Sequence, residues 1–112
     1  MRFRIFSLVK HATEPNVVTF QVENIRNISR GGLAFFTEQE IEEGAVLRLY
    51  FLPPNCEKPV TARGKVVRCP QVIKNGKIFE LGVQFLDVSE DAKLAIQELE
   101  DFFLKKQKKI QL

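Results

Sequence analysis

The run Asn27-Ile28-Ser29-Arg30-Gly31-Gly32 gathers, in six residues, groups able to hold an anion or the edge of a nucleotide. Asn27 and Ser29 stand two apart, so an extended backbone turns both side chains to one face. Gly31 and Gly32 follow, and glycine permits positive φ and a close approach by a partner. An amide, a hydroxyl, the Arg30 guanidinium and bare backbone N–H groups converge in a corner that suits an anionic or nucleotide-like ligand. The same residues also make an ordinary polar elbow between two strands, so their surroundings must decide between the two.

Little else in the chain points to catalysis. His11 is the sole histidine, and it reads as a partly exposed residue near a strand end with no metal-ligand spacing around it. Cys56 and Cys69 are too far apart for a C-x-x-C unit and read as small structural residues. Glu38, Glu40, Glu42 and Glu43 form an acidic loop or helical turn of the solvated kind. No phosphate-binding loop of the Walker type occurs, and Gly31-Gly32 is too short for a dinucleotide fingerprint. The expectation is a non-enzymatic protein without a metal or cofactor.

Charge sets the class of partner. The net charge of +3 and an isoelectric point near 9.0 allow an anionic partner without demanding one. Arg2, Arg4, Lys10, Arg26 and Arg30 face only Glu14 and Glu23 before residue 37, an excess of three positive charges. A solvated face explains this; so does an anion site assembled from Arg4 and Arg30. Lys105 to Lys109 reads as compensation of a helix dipole and a frayed tail.

The elements that must position these residues follow from hydrophobic period. Within 112 residues, one domain with one core is expected, and ten Phe without a Trp make that core Phe-rich. Arg4 to Lys10 is extended in character, and Val18, Phe20 and Val22 alternate with polar residues as a half-buried strand. The phase slips near Asn24, where Ile25 and Ile28 fall out of register, so a bulge is expected there. Leu33 to Phe36, Leu47 to Phe51 and Val60 to Val66 are further strands, the last with Val60, Ala62, Gly64 and Val66 on one face. Asn75-Gly76 marks a hairpin leading into the inward row Phe79, Leu81, Val83 and Phe85.

After Val88 the period becomes helical. Ser89 is the N-cap, Glu90 and Asp91 suit the helix dipole, and Ala92, Ala95, Ile96, Leu99, Phe102 and Phe103 form one stripe. The expected fold is mainly all-β: a small antiparallel β-barrel over residues 3–88 closed by one C-terminal amphipathic α-helix over 89–106, within a single domain 1–112. No run approaches a membrane span or a signal peptide, so a cytoplasmic protein is expected.

These pieces resemble the PilZ domain, the bacterial cyclic di-GMP receptor module. Asn27-Ile28-Ser29-Arg30-Gly31-Gly32 is similar to the family's (D/N)-x-S-x-x-G motif. Gly64-Lys65-Val66-Val67-Arg68, then Gly82-Val83-Gln84-Phe85-Leu86-Asp87 with Ser89-Glu90, follow in the family's order. The resemblance implies a six-stranded antiparallel barrel with a C-terminal helix, and a ligand held by Asn27, Ser29 and Gly32. The family also carries R-x-x-x-R on its N-terminal arm, whose guanidinium groups can fork onto guanine or pair with phosphate. This chain departs from it: Arg2-Phe3-Arg4 stands there, Arg4 fits the second arginine, and the first would fall before Met1.

The reading that results is a cyclic di-GMP receptor using Arg2, Arg4, Asn27, Ser29, Arg30, Gly31 and Gly32, relaying the signal to a downstream protein partner. The alternative is a PilZ-like adapter that binds no nucleotide and docks proteins through exposed helix residues such as Leu94 and Leu104. A single-stranded nucleic-acid binder is a third option, and inward-facing aromatics leave it few stacking platforms; neither DNA nor RNA is expected as a partner.

Overall fold

The computed structural model describes residues 8–14, 20–53, 55–73 and 76–110, with residues 103 and 105–110 by backbone alone. Among the described residues, seven strands and one helix follow in chain order: β1 Leu8–Thr13, β2 Gln21–Ser29, β3 Gly32–Thr37, β4 Val46–Phe51, β5 Val60–Arg68, β6 Gln71–Ile73, β7 Ile78–Val88 and α1 Glu90–Ile110. All pairings are antiparallel, in the order β3-β2-β1-β4-β5-β7-β6, and β3 also pairs with β7. That last ladder closes six strands into a barrel, and β6 is a short strand that, among the described residues, pairs with β7 alone. The barrel and its helix are thus those expected from the sequence.

Strand alternation builds the core. Leu47, Leu49 and Phe51 of β4, Val60, Ala62 and Val66 of β5, and Leu81 and Val83 of β7 are buried, with their polar neighbours outside. Phe35 is fully buried, and Phe51 stacks on Phe85 with ring centroids 6.3 Å apart. The β6–β7 pairing confirms the expected hairpin; its turn residue Asn75 lies outside the described residues, as does Val18.

Two sequence expectations about the barrel strands are corrected. Phe20 and Val22 face outward rather than inward: Val22 pairs with the exposed Lys10, and 51% of its surface is open. With Leu8, Tyr50 and Leu52 they form an apolar exterior on β1, β2 and β4, where Phe20 meets Tyr50 edge-on. Alternation alone cannot say which row is inside; pairing with Val9 and His11 of β1 turns Glu23 and Gln21 inward instead. His11, expected near the end of a strand, sits inside β1, 1% exposed and tilted against Phe35 at 4.7 Å between ring centroids. Pairing with β2 and β4 carries β1 past Lys10 to Thr13, which puts His11 on the inward row with Val9.

The expected bulge is present two residues later than Asn24. The β2–β3 register shifts between Ile25 and Asn27, leaving Arg26 as the extra residue. Without it, Asn27 and Ser29 would share the inward face of Ile25. With it, Ile25 and Ile28 both reach the core while Asn27 and Ser29 turn out.

Ser89 caps the helix as expected, accepting a hydrogen bond from the Ala92 N–H at 3.2 Å. Ala92, Ala95, Ile96 and Leu99 are buried against the barrel, and Asn55 donates to the Ala95 carbonyl at 3.3 Å. The helix runs on to Ile110, beyond the expected 106. Phe102, assigned to the buried stripe, is 55% exposed, because the stripe outruns the barrel beneath it. Among the described residues no helix is long and apolar enough to cross a membrane.

Candidate functional site

Arg30 and Gly31 form the two-residue turn between β2 and β3, with Ser29 paired to Gly32. Gly44 is the one described residue with φ in the left-handed region, so the elbow uses neither glycine for positive φ. Gly32 has another reason. A Cβ there would stand 2.0 Å from the Val83 carbonyl oxygen, because β7 runs hard against it as the barrel closes. The neighbouring Gly31 carbonyl accepts the Phe85 N–H at 2.8 Å. The close approach anticipated at Gly32 is therefore to the chain's own backbone. Around Gly31 the nearest atom to a new Cβ is Ser29 Oγ, at 4.0 Å.

Closure sets Asn27 and Ser29 at the edge of a wider face. Directly paired residues of an antiparallel ladder share a face. One row therefore runs Asn27, Ala34, Gly82, Arg68 across β2, β3, β7 and β5, and the next runs Ser29, Gly32, Gln84, Lys65. Ala34, Gly82 and Gly32 leave the middle nearly bare apart from Gln84, Asn27 and Ser29 form one rim, and Arg68 and Lys65 the other. The Arg68 side chain lies flat on the bare backbone of Gly82, where a Cβ would meet its Cγ at 2.7 Å and Nε at 2.8 Å. Its guanidinium reaches Glu80 at 3.6 Å, and Arg26 pairs with the same carboxylate while lying over the Phe36 ring at 5.3 Å. Neither Arg68 nor Lys65 was assigned to the site from sequence; the signal available was an arginine and a glycine in two separate strands whose adjacency only the register reveals.

Arg30 parts from Asn27 and Ser29. Its Nε is 3.3 Å from Glu100 of α1, and it borders a groove of about 310 Å³ with Val88, Lys93 and Ile96. Arg2 and Arg4 lie outside the described residues. A second charged cluster stands elsewhere on the barrel, where Arg63 donates to Glu14 and Asp87 at 2.8 Å each and Arg48 adds to Glu14. The hydrogen bond from Arg63 holds the Glu14 carboxyl below its ordinary range. Cys56 and Cys69 are free thiols, that of Cys56 raised by burial. No group of His, Cys, Asp and Glu among the described residues is arranged to hold a metal.

The outward (D/N)-x-S-x-x-G elbow on a closed six-strand barrel with a terminal helix matches one family, and the sequence profile of the PilZ domain covers residues 2–103. The chain belongs to the PilZ domain family. Solved PilZ-fold structures superpose well. The Bacillus subtilis inhibitor of motility, MotI/DgrA, gives a TM-score of 0.75 at 19% identity over 94% of this chain and 50% of its own. The K. pneumonia MrkH structure in its apo state gives 0.73 at 19% over 97% and 52%. MrkH in complex with c-di-GMP gives 0.74 at 19% over 97% and 53%. At this identity the likeness is one of fold, and the chain spans about half the length of these proteins. No curated protein sequence matches the chain.

Proposed function

We propose that this PilZ domain is a cyclic di-GMP receptor module that binds the nucleotide on the outer face of β2, β3, β7 and β5 and passes the event to a protein partner. The observation that carries the reading is the bulge at Arg26, which turns Asn27 and Ser29 out to the surface while Ile25 and Ile28 stay in the core. A nucleotide with two guanines and two phosphates is met there by an amide, a hydroxyl and nearby guanidinium groups. The family membership and the solved MrkH–c-di-GMP complex support the same ligand. Arg2 and Arg4 are assigned to the same ligand from the sequence motif alone, and Arg30 enters only by leaving Glu100. Gly31 supplies open backbone beside them, and Gly32 the closure that positions the elbow.

Calorimetric titration with cyclic di-GMP tests the proposal. Saturable heat is expected, and Arg4→Ala is expected to weaken binding about ten- to hundredfold, the loss of one charge-assisted hydrogen bond. Absence of heat and of any thermal shift at high micromolar ligand would end the receptor reading. An adapter reading is favoured by exposed apolar surface: Leu94 and Leu104 of α1 stand open as that reading expects, and Leu8, Val22 and Leu52 surround a groove of about 400 Å³ on the barrel. Retention of the same partner with and without nucleotide in a pull-down would support it.

A further inference from the structure

Glu80 stands between two arginines at the margin of the face described above. Its side chain is 17% exposed, while those of Arg26 and Arg68 are 38% and 49% exposed. Arg26 is held a second way, over Phe36. Arg68 is held differently: its stem rests on Gly82, in the row that begins at Asn27, and its guanidinium has Glu80 as its ion-pair partner. A carboxylate seated between two guanidinium groups occupies the place an incoming phosphate would take. The glycine matters to this arrangement, since any side chain at 82 would lift the arginine off the sheet.

Resting on the receptor reading, we infer that Arg68 is a ligand-binding residue of the nucleotide site and that Glu80 is its intramolecular competitor. In the free protein Glu80 holds Arg68 down across the face. On binding, a phosphate or guanine edge of the nucleotide takes the Arg68 fork and the carboxylate yields it. The β5 strand thereby supplies an arginine to the row that begins at Asn27 on β2. Affinity is then set by the difference between two anions competing for one guanidinium, rather than by the ligand contacts alone.

The test is cyclic di-GMP titration of the full chain and of four variants: Glu80→Gln, Arg68→Ala, Arg68→Lys and the double variant Glu80→Gln with Arg68→Ala. Unliganded thermal melts run beside it report folding. Glu80→Gln is expected to bind about three- to tenfold tighter and Arg68→Ala about ten- to hundredfold weaker. The double variant should match Arg68→Ala, because the gain acts through that arginine. Arg68→Lys keeps the stem and the charge but not the fork, and should also weaken binding if the alanine variant is too unstable to read. Wild-type binding with unchanged affinity in all four variants overturns the inference and leaves the receptor reading intact. Weakening in Arg68→Ala without a gain in Glu80→Gln removes Glu80 as competitor. No binding by wild type or by Glu80→Gln overturns the receptor reading and this inference with it.

Discussion

His11 shows how far a single side chain can be placed from its neighbours in sequence. It lies against Phe35, almost wholly buried, and its Nε2 finds no hydrogen-bond partner among the described residues. Burial pushes its pKa from 6.5 down to about 4. Because the folded state prefers the neutral ring, protonation favours unfolding. Stability is fully present above pH 6.5 and falls as pH drops toward 4, by up to about 1.4 kcal/mol per pH unit. Denaturant melts between pH 7 and 4.5 should show this slope, and His11→Leu should flatten it whatever its effect at neutral pH. An equal slope in the variant would assign the loss to carboxylates. Glu14 belongs to a lower window, since its pairing with Arg63 is lost only below the ordinary carboxylate range. The sequence put His11 at a strand end because its apolar neighbours stop there; its burial depends on ladders to β2 and β4, which carry β1 to Thr13.

At the level of strands and turns, the β2–β3 hairpin separates what a motif does for the fold from what it does for a ligand. Gly31 and Gly32 look equivalent in sequence. In space one faces open surroundings, while a methyl group on the other would stand 2.0 Å from the Val83 carbonyl oxygen. Gly32→Ala must therefore push β3 from β7, an overpacking of about 1–3 kcal/mol or more, expected to lower the melting temperature by about 5 °C or more. Gly31→Ala meets only Ser29 Oγ, at an ordinary 4.0 Å, and should leave the melting temperature unchanged or raise it slightly. Equal melting temperatures for the two variants would contradict the β3–β7 contact. A retained Gly32 is thus evidence of a closed barrel before it is evidence of nucleotide binding. The strands, the bulge, the hairpin and the cap were readable because each rests on local alternation or capping chemistry. The outward turn of Phe20 and Val22 was not, since an alternating row has two faces and only its partners choose between them.

For the molecule as a whole, barrel closure assembles the face proposed as the site. Asn27 and Arg68 are far apart along the chain, and the β3–β7 ladder brings them into one row through Ala34 and Gly82. The motif revealed the β2 rim, while the β5 rim stayed hidden because no local pattern encodes a closing ladder. A ligand seated on that row bridges four strands, so binding should stabilise the closed barrel and not merely the elbow. At a hundredfold excess over Kd, mass action gives about 2.7 kcal/mol, a rise in melting temperature of about 10 °C for a chain of this size. Amide exchange on adding cyclic di-GMP should slow in β3, β7 and β5 together, since opening any of them would release the nucleotide. Slowing restricted to residues 27–32 would mean that the elbow and the N-terminal arm hold the ligand alone. Slowing that reaches the Arg68 end of β5 requires the contact across the closing seam, and in Arg68→Ala that part of the protection should vanish while the elbow keeps its own.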